Sequence, residues 1–344
     1  MKKVLLLLTL AIVLLSAVSM HGMETKFKME LWNRYTADIV DRTIEESQFA
    51  LKRGYFRLEP EFTDNIKGRF NLDFFSDEDG LDGAGLKLKY AYLDFNKLLP
   101  IPESKVTFGL MKNYFGTIYT WDYTTIDKDP SDKYKVISST DYGLGYYALI
   151  PGGFGEYSLQ MSNGEGYKKT GGDVDINPAF IGNLRVIPIP GITVGGSVYY
   201  TQKGLLNSDE LLTAGDTTVM AAAGLAKISF GPLSLIGEYL MKNIDSDGAY
   251  AYMGMGSFSM GKISGFDMDI VARYDKSDPD KDTADDGSQM ILGGINYYIL
   301  RASKNSPAVW LQANYSRTMY EDATIDDVDE IALQLRWVFS HTIN

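Results

Sequence analysis

Apolar and polar side chains alternate with period two over segments of about ten residues, repeatedly along this chain, and turn-forming residues close each segment. That period belongs to extended strands whose two faces meet different surroundings. Ile66, Gly68, Phe70, Leu72 and Phe74 oppose Lys67, Arg69, Asn71 and Asp73. Gly155, Tyr157, Leu159 and Met161 alternate with Glu156, Ser158, Gln160 and Ser162, and Phe266, Met268, Ile270, Ala272 and Tyr274 with Asp267, Asp269 and Arg273. At the end of the chain Ile331, Leu333, Leu335, Trp337 and Phe339 oppose Glu330, Gln334 and Arg336. About sixteen such segments are expected, near 26–35, 49–62, 66–75, 86–95, 105–111, 141–150, 154–162, 176–187, 192–202, 217–230, 233–242, 250–260, 266–275, 288–300, 309–319 and 329–340. An even count lets a sheet close on itself with both termini on one side.

The connections alternate in kind. Those at 63–65, 151–153, 188–191, 231–232 and 261–265 are tight, and those between them are mostly longer and acidic. This rim asymmetry predicts an all-β fold: a transmembrane antiparallel β-barrel of about 16 strands with short periplasmic turns and longer acidic extracellular loops. Aromatic residues near strand ends, Tyr35, Tyr92, Tyr142, Tyr239, Tyr250, Tyr274, Tyr315, Trp337 and Phe339, suit girdles at the two membrane interfaces. A soluble secreted β-sandwich would alternate too, but its turns bound strands at both ends without that asymmetry. Helical membrane architecture fails, because the one later apolar stretch, from Val219 to Leu240, is broken by Lys227, Gly231-Pro232 and Glu238. Met1, Lys2 and Lys3, the apolar run from Val4 to Leu15 and the small-residue site Ala17-Val18-Ser19 read as a cleavable secretory signal over 1–19. Residues 20–344 then form a single barrel domain in a bacterial outer membrane.

Composition removes most chemistry. The chain has no cysteine, hence no disulfide, thiolate metal cluster or cysteine nucleophile, and its two histidines, His21 and His341, lie at the extremes. No glycine run opens a helix able to hold phosphate, and 162–166 fits no nucleophile elbow. The expectation is a protein that is not an enzyme and uses no cofactor and no metal. A net charge of −12 argues against nucleic acid. The eight long connections carry 29 acidic against 10 basic residues, so the remainder of the mature chain is positive by 5. The acidic loops suit solvation, or divalent cations bridging lipopolysaccharide phosphates.

By its segments 48–58 (QFALKRGYFRL), 66–76 (IKGRFNLDFFS), 88–95 (LKYAYLDF), 106–116 (VTFGLMKNYFG), 266–275 (FDMDIVARYD) and 331–339 (IALQLRWVF), the chain resembles porins of the phosphate-selective porin O/P group. That resemblance implies a sixteen-stranded homotrimeric barrel with a water-filled pore, in contact with outer-membrane lipid and lipopolysaccharide. The expected function is passive passage of ions and small hydrophilic solutes, with a weak anion preference from the positive balance of the non-loop residues. A barrel serving mainly as adhesin or structural anchor is the alternative.

Basic residues gather on the polar faces of three consecutive strands: Arg53 and Arg57, Lys67 and Arg69, Lys87 and Lys89. A tight turn at 63–65 would set Phe62 opposite Ile66, hence Glu61 opposite Lys67 and Glu59 opposite Arg69, and Asp73 would offset Lys89. Arg53, Arg57 and Lys87 lack a partner in that register and are the candidates for steering anions along the wall. The connection 112–140, 29 residues, is the longest. Tyr114, Phe115, Tyr119, Trp121 and Tyr123 are too aromatic for open water, while Asp122, Asp127, Lys128, Asp129, Asp132, Lys133 and Lys135 form a nearly neutral polar set. The resemblance implies that this loop folds into the lumen as a constriction; packing over the outer rim as a cap or trimer contact is the other reading.

Overall fold

A computed structural model of the chain describes residues 24–76, 83–169, 177–203, 217–301 and 307–343. The expected signal segment 1–19 lies outside them. Sixteen strands follow in order: β1 (Glu24–Val40), β2 (Thr43–Thr63), β3 (Ile66–Phe75), β4 (Gly85–Asn96), β5 (Ser104–Lys112), β6 (Thr140–Ile150), β7 (Gly155–Ser162), β8 (Ala179–Ile189), β9 (Ile192–Lys203), β10 (Thr217–Phe230), β11 (Leu233–Ile244), β12 (Asp247–Ser259), β13 (Met268–Asp278), β14 (Ser288–Leu300), β15 (Ala308–Tyr320) and β16 (Val328–Ile343). Each pairs antiparallel with its sequence neighbours, and β1 pairs β16 from Thr25↔Ile343 to Val40↔Val328, so the sheet is a closed barrel with no free edge to pair with another chain.

Burial runs opposite to that of a soluble protein. Phe108, Leu159, Val198, Met220 and Ile295 point outward and exposed, while Asn71, Gln160, Asn183, Glu238, Arg273, Asn296, Gln312 and Gln334 are buried on the inner face. A sandwich would bury the first set and expose the second; a barrel in lipid does the reverse. Stacked pairs on the outer face, Tyr239 with Tyr250 and Trp337 with Phe339, supply girdle aromatics.

Several local expectations are corrected. The connections expected at 36–48 and 243–249 are two-residue turns, Asp41-Arg42 and Asp245-Ser246, because the strands run on beyond the alternating stretch. Asp41 and Arg42 adopt φ 48° and 66°, the left-handed pair of a tight hairpin. Above the membrane both strand faces meet water, so period two disappears although the strand does not. At the β2–β3 turn Glu61 pairs Lys67 but Thr63, not Phe62, pairs Ile66 across an irregular register. The Thr63 hydroxyl accepts from the amides of Asn65 and Ile66 and pulls the turn in by one residue. In β4 a bulge between Tyr90 and Leu88 inverts the phase. Asp73 therefore faces Lys87 rather than Lys89, and Tyr92 lies on the lumen side against Arg69, 5.7 Å from its guanidinium carbon, rather than in a girdle.

Candidate functional site

Residues 113–139 leave β5, cross the interior of the barrel and return to β6; they do not cap the rim. Phe115, Ile118, Val136 and Ile137 pack on Ala179, Ile181, Tyr199, Val219, Ala221, Ala223, Leu240 and Ala251 of β8 to β12. Each buried side chain of this size is worth about 1.5–3 kcal/mol on removal from water. Here β10 is apolar on both faces: outside it meets lipid, inside it meets the loop. A single helical turn, α1 (Pro130–Lys133), is started by Asp129, whose carboxylate accepts from the Ser131 amide, and by Pro130 in its first position.

A loop inside a barrel must find partners for its own peptide groups, and wall side chains supply them from around the circumference. Gln160 on β7 accepts from the Tyr114 amide at 2.6 Å and donates to the Lys112 carbonyl at 2.9 Å. Arg185 on β8 donates to the Gly116 carbonyl and, at 3.1 Å, to the Thr120 hydroxyl, with its guanidinium 4.1 Å from the centre of the Tyr119 ring. Arg273 on β13 grips Asp275 through Nε and Nη2, both at 2.7 Å, and donates from Nη1 to the Lys128 carbonyl at 2.7 Å. Asn296, Gln312 and Arg336 donate to the carbonyls of Thr124, Tyr123 and Asp122. Burial pushes the phenols of Tyr119 and Tyr134 well above their usual range, so they act as neutral donors to Glu156 and Asp275.

The loop borders at least four spaces in the barrel interior, one of them, about 220 Å³, lying between Lys133 to Val136 and β11 to β15. The largest, about 540 Å³, opens toward the loop rim and is lined by Lys52, Arg53, Lys87, Lys89, Lys128, Lys135, Lys168, Lys203 and Lys242 against Asp73, Asp132 and Glu165. A second, about 460 Å³, lies between the loop and β1, β2 and β14 to β16, and a third, about 180 Å³, lies below, walled by Tyr55, Arg57, Tyr90, Tyr119, Trp121 and Arg336 among others. Arg53 borders these three. It donates to the Tyr123 hydroxyl at 2.9 Å and lies 4.5 Å from the Trp32 ring, 4.9 Å from that of Tyr55 and 5.0 Å from that of Tyr123. These contacts fix the cation in place.

The remaining sequence candidates divide. Arg53 and Arg57 do have partners: Arg53 lies 3.8 Å from Asp73, and Arg57 bonds Asn71 at 3.0 Å and lies 3.9 Å from Glu59. Asn71 faces Arg57 directly across the β2–β3 hairpin, Asp73 and Glu59 stand two residues along the same lumen row, and the loop adds Tyr123 to Arg53. Lys67 binds Glu61 at 2.7 Å and Arg69 binds Glu59 at 2.6 Å near the turn rim, away from the three spaces. Lys87 lies 3.8 Å over the Phe75 ring, and Lys89 donates to Ser139 at 2.5 Å; both line the largest space. In the loop, Tyr119, Trp121 and Asp129 line the third space, Asp127 the second, and Lys128 the first and second. Asp122 faces away and caps the Thr124 amide and hydroxyl. Burial opposes the charge of Asp127, but Lys133 at 2.5 Å and the nearby Arg273 outweigh it and hold the carboxyl below its ordinary range. Sequence reasoning missed Lys52, Lys168, Lys203 and Lys242, which lie on four separate segments and converge only when the barrel closes. It also missed Arg185 and Arg273, whose strand alternation places them inward but says nothing of the loop they hold.

The sequence matches no family model and no curated protein. Solved structures do match over nearly the whole chain. The in-vitro folded outer membrane protein OmpT of Vibrio cholerae, in a trimer form, superposes with a TM-score of 0.62 at 10% identity, covering 92% of this chain and 99% of that one. A BenF-like porin from Pseudomonas fluorescens gives 0.57 at 11% identity, over 93% and 99%. The anion-selective porin from Comamonas acidovorans gives 0.56 at 15% identity, over 93% and 99%. At these identities the likeness is one of fold, and the fold is that of outer-membrane porin barrels.

Proposed function

We propose that this chain is an outer-membrane porin, a passive diffusion channel for small hydrophilic solutes that prefers anions, and not an enzyme. The observation that carries the reading is the inversion of charge: a chain of net charge −12 lines the largest space of its lumen with nine basic side chains against three carboxylates. Charges inside a confined space act on an ion at contact distance, whereas the acidic loops act from outside through salt that screens over about 10 Å at 0.1 M. The lysines raise the local anion concentration, and Arg53 adds a cation that borders three of the interior spaces. That arrangement supports small anions as a class, which is as far as the resemblance to phosphate-selective porins is carried. The trimeric state of a neighbour of the same fold supports a homotrimer here, seated in lipid and lipopolysaccharide.

The test is reconstitution of the mature protein in a planar bilayer under a salt gradient. Reversal potential is expected on the anion side, and Lys128→Gln, Lys135→Gln and Lys168→Gln together are expected to move it toward cations. A reversal potential unmoved by the triple replacement refutes the assignment, and a bilayer with no conductance favours the structural-anchor alternative.

A further inference from the structure

Thr117, in the first turn of the lumen loop, stands between two carboxyl groups. Its Oγ1 lies 2.6 Å from Oε2 of Glu238 on β11 and also contacts Oδ2 of Asp129. The other oxygens are occupied: Glu238 Oε1 accepts from the Thr117 amide at 2.7 Å, and Asp129 Oδ1 accepts from the Ser131 amide at 2.8 Å. Thr117, Asp129 and Glu238 are 1%, 2% and 3% exposed. The backbone approaches closely here because residue 116 is glycine with φ 47°; a Cβ at that position would fall 2.1 Å from Glu238 Oε1.

A threonine hydroxyl carries one hydrogen. It can donate to one carboxylate only, and a second oxygen at hydrogen-bond distance must then bring its own. We infer that Asp129 and Glu238 hold one proton between them through Thr117, and that this proton-binding site latches the loop to the barrel wall. The charged groups facing the pair do not replace the proton. Arg185 on β8 directs its donors to Gly116 and Thr120, Arg273 on β13 directs its own to Asp275 and Lys128, and Asp132 on α1 adds a like charge beside Asp129. Loss of the proton leaves two carboxylates facing one hydroxyl in a buried site, where like charges repel strongly. The first turn of the loop is then expelled from β11 and the lumen widens. Burial pushes the Asp129 carboxyl above its ordinary range, and the second buried carboxyl beside it holds the shared proton more tightly still, so its release falls on the alkaline side of neutral. This goes beyond the anion reading and does not depend on which solute permeates.

Loop docking is read directly, without conductance. The chain has no cysteine, and Thr125, in the same loop, is 0% exposed. Thr125→Cys in the folded full-length mature protein supplies a buried thiol whose maleimide labelling reports undocking, normalised at each pH to the same protein in denaturant. Labelling is expected to speed up at least tenfold between pH 5 and pH 9. In Glu238→Gln, and separately in Asp129→Asn, the amide supplies the missing donor, so the slow rate of pH 5 is expected to persist to pH 9. Thr117→Val removes the bridge and is expected to label fast at both values. A rate independent of pH in the parent, the same tenfold rise in both amide variants, or a Thr117→Val protein as protected as the parent each overturns the inference.

Discussion

Arg185 is the wall residue through which the docking of the lumen loop is best measured. Replacing it by Met keeps the aliphatic stem and removes the guanidinium. Three contacts go: a charged hydrogen bond to the Gly116 carbonyl, a bond of 3.1 Å to the Thr120 hydroxyl and the stack at 4.1 Å on Tyr119. A charged bond to a buried carbonyl is worth about 2 kcal/mol, the hydroxyl bond about 1 and the stack about 1. Against this stands the desolvation relieved by removing a cation that is 8% exposed, which offsets part of the loss and leaves about 2–3 kcal/mol. Glu156 keeps the hydroxyls of Tyr119 and, at 2.5 Å, Tyr147 and is 21% exposed in its side chain, so it adds little to either side. At about 1.4 kcal/mol per decade, the ratio of undocked to docked loop should rise roughly 30- to 140-fold. The assay is the labelling rate of Thr125→Cys at pH 5, where the Asp129–Glu238 latch is protonated, so that only the Arg185 contribution changes. A rise below threefold would show that the loop is held by its apolar contacts with β8 to β12 and not by the guanidinium.

Other outcomes follow from the same geometry. Shortening the loop across 119–135 should raise single-channel conductance and relax size exclusion, since the strand-built wall closes without it; unchanged conductance with intact assembly would take the segment out of the permeation path. Because burial holds the folded carboxyl of Asp129 above the unfolded value of about 4, the docked state binds the extra proton, and its stability is full below about pH 4 and falls as pH rises through the folded value. Melting temperature measured across that window should drop with rising pH, and drop less in Asp129→Asn. Glu30→Ala should destabilise the barrel by about 2–3 kcal/mol in urea unfolding, because it strands Arg336, which it binds at 2.6 and 2.9 Å between the rings of Trp32 and Trp310. Lys67→Ala, at an ion pair whose two side chains are 44% and 45% exposed, should change the same measurement by less than about 0.5 kcal/mol.

The barrel was legible in the sequence because its determinant is local. Each strand needs one face for lipid and one for the lumen, and Ile66 to Phe75 or Ile331 to Phe339 states that choice residue by residue. Even the Glu61–Lys67 pairing could be read, since two residues of turn separate the strands. Legibility failed wherever a segment's surroundings differ from that rule. The hairpin tip over 41–47 is exposed on both faces, β10 is apolar on both faces because the loop covers its inner side, and the bulge at Lys89 turns Tyr90 and Tyr92 inward. The site was less legible still. Basic residues on β2 to β4 announce themselves by alternation, but the convergence of Lys135, Lys168, Lys203 and Lys242 on one space depends on closure of all sixteen strands. Thr117 meets Glu238 across 121 residues of sequence, and the contact exists only because the loop turns inward and finds β11. Period two fixes which way a side chain points; what it meets there is decided by the other side of the barrel, and no local pattern carries that information.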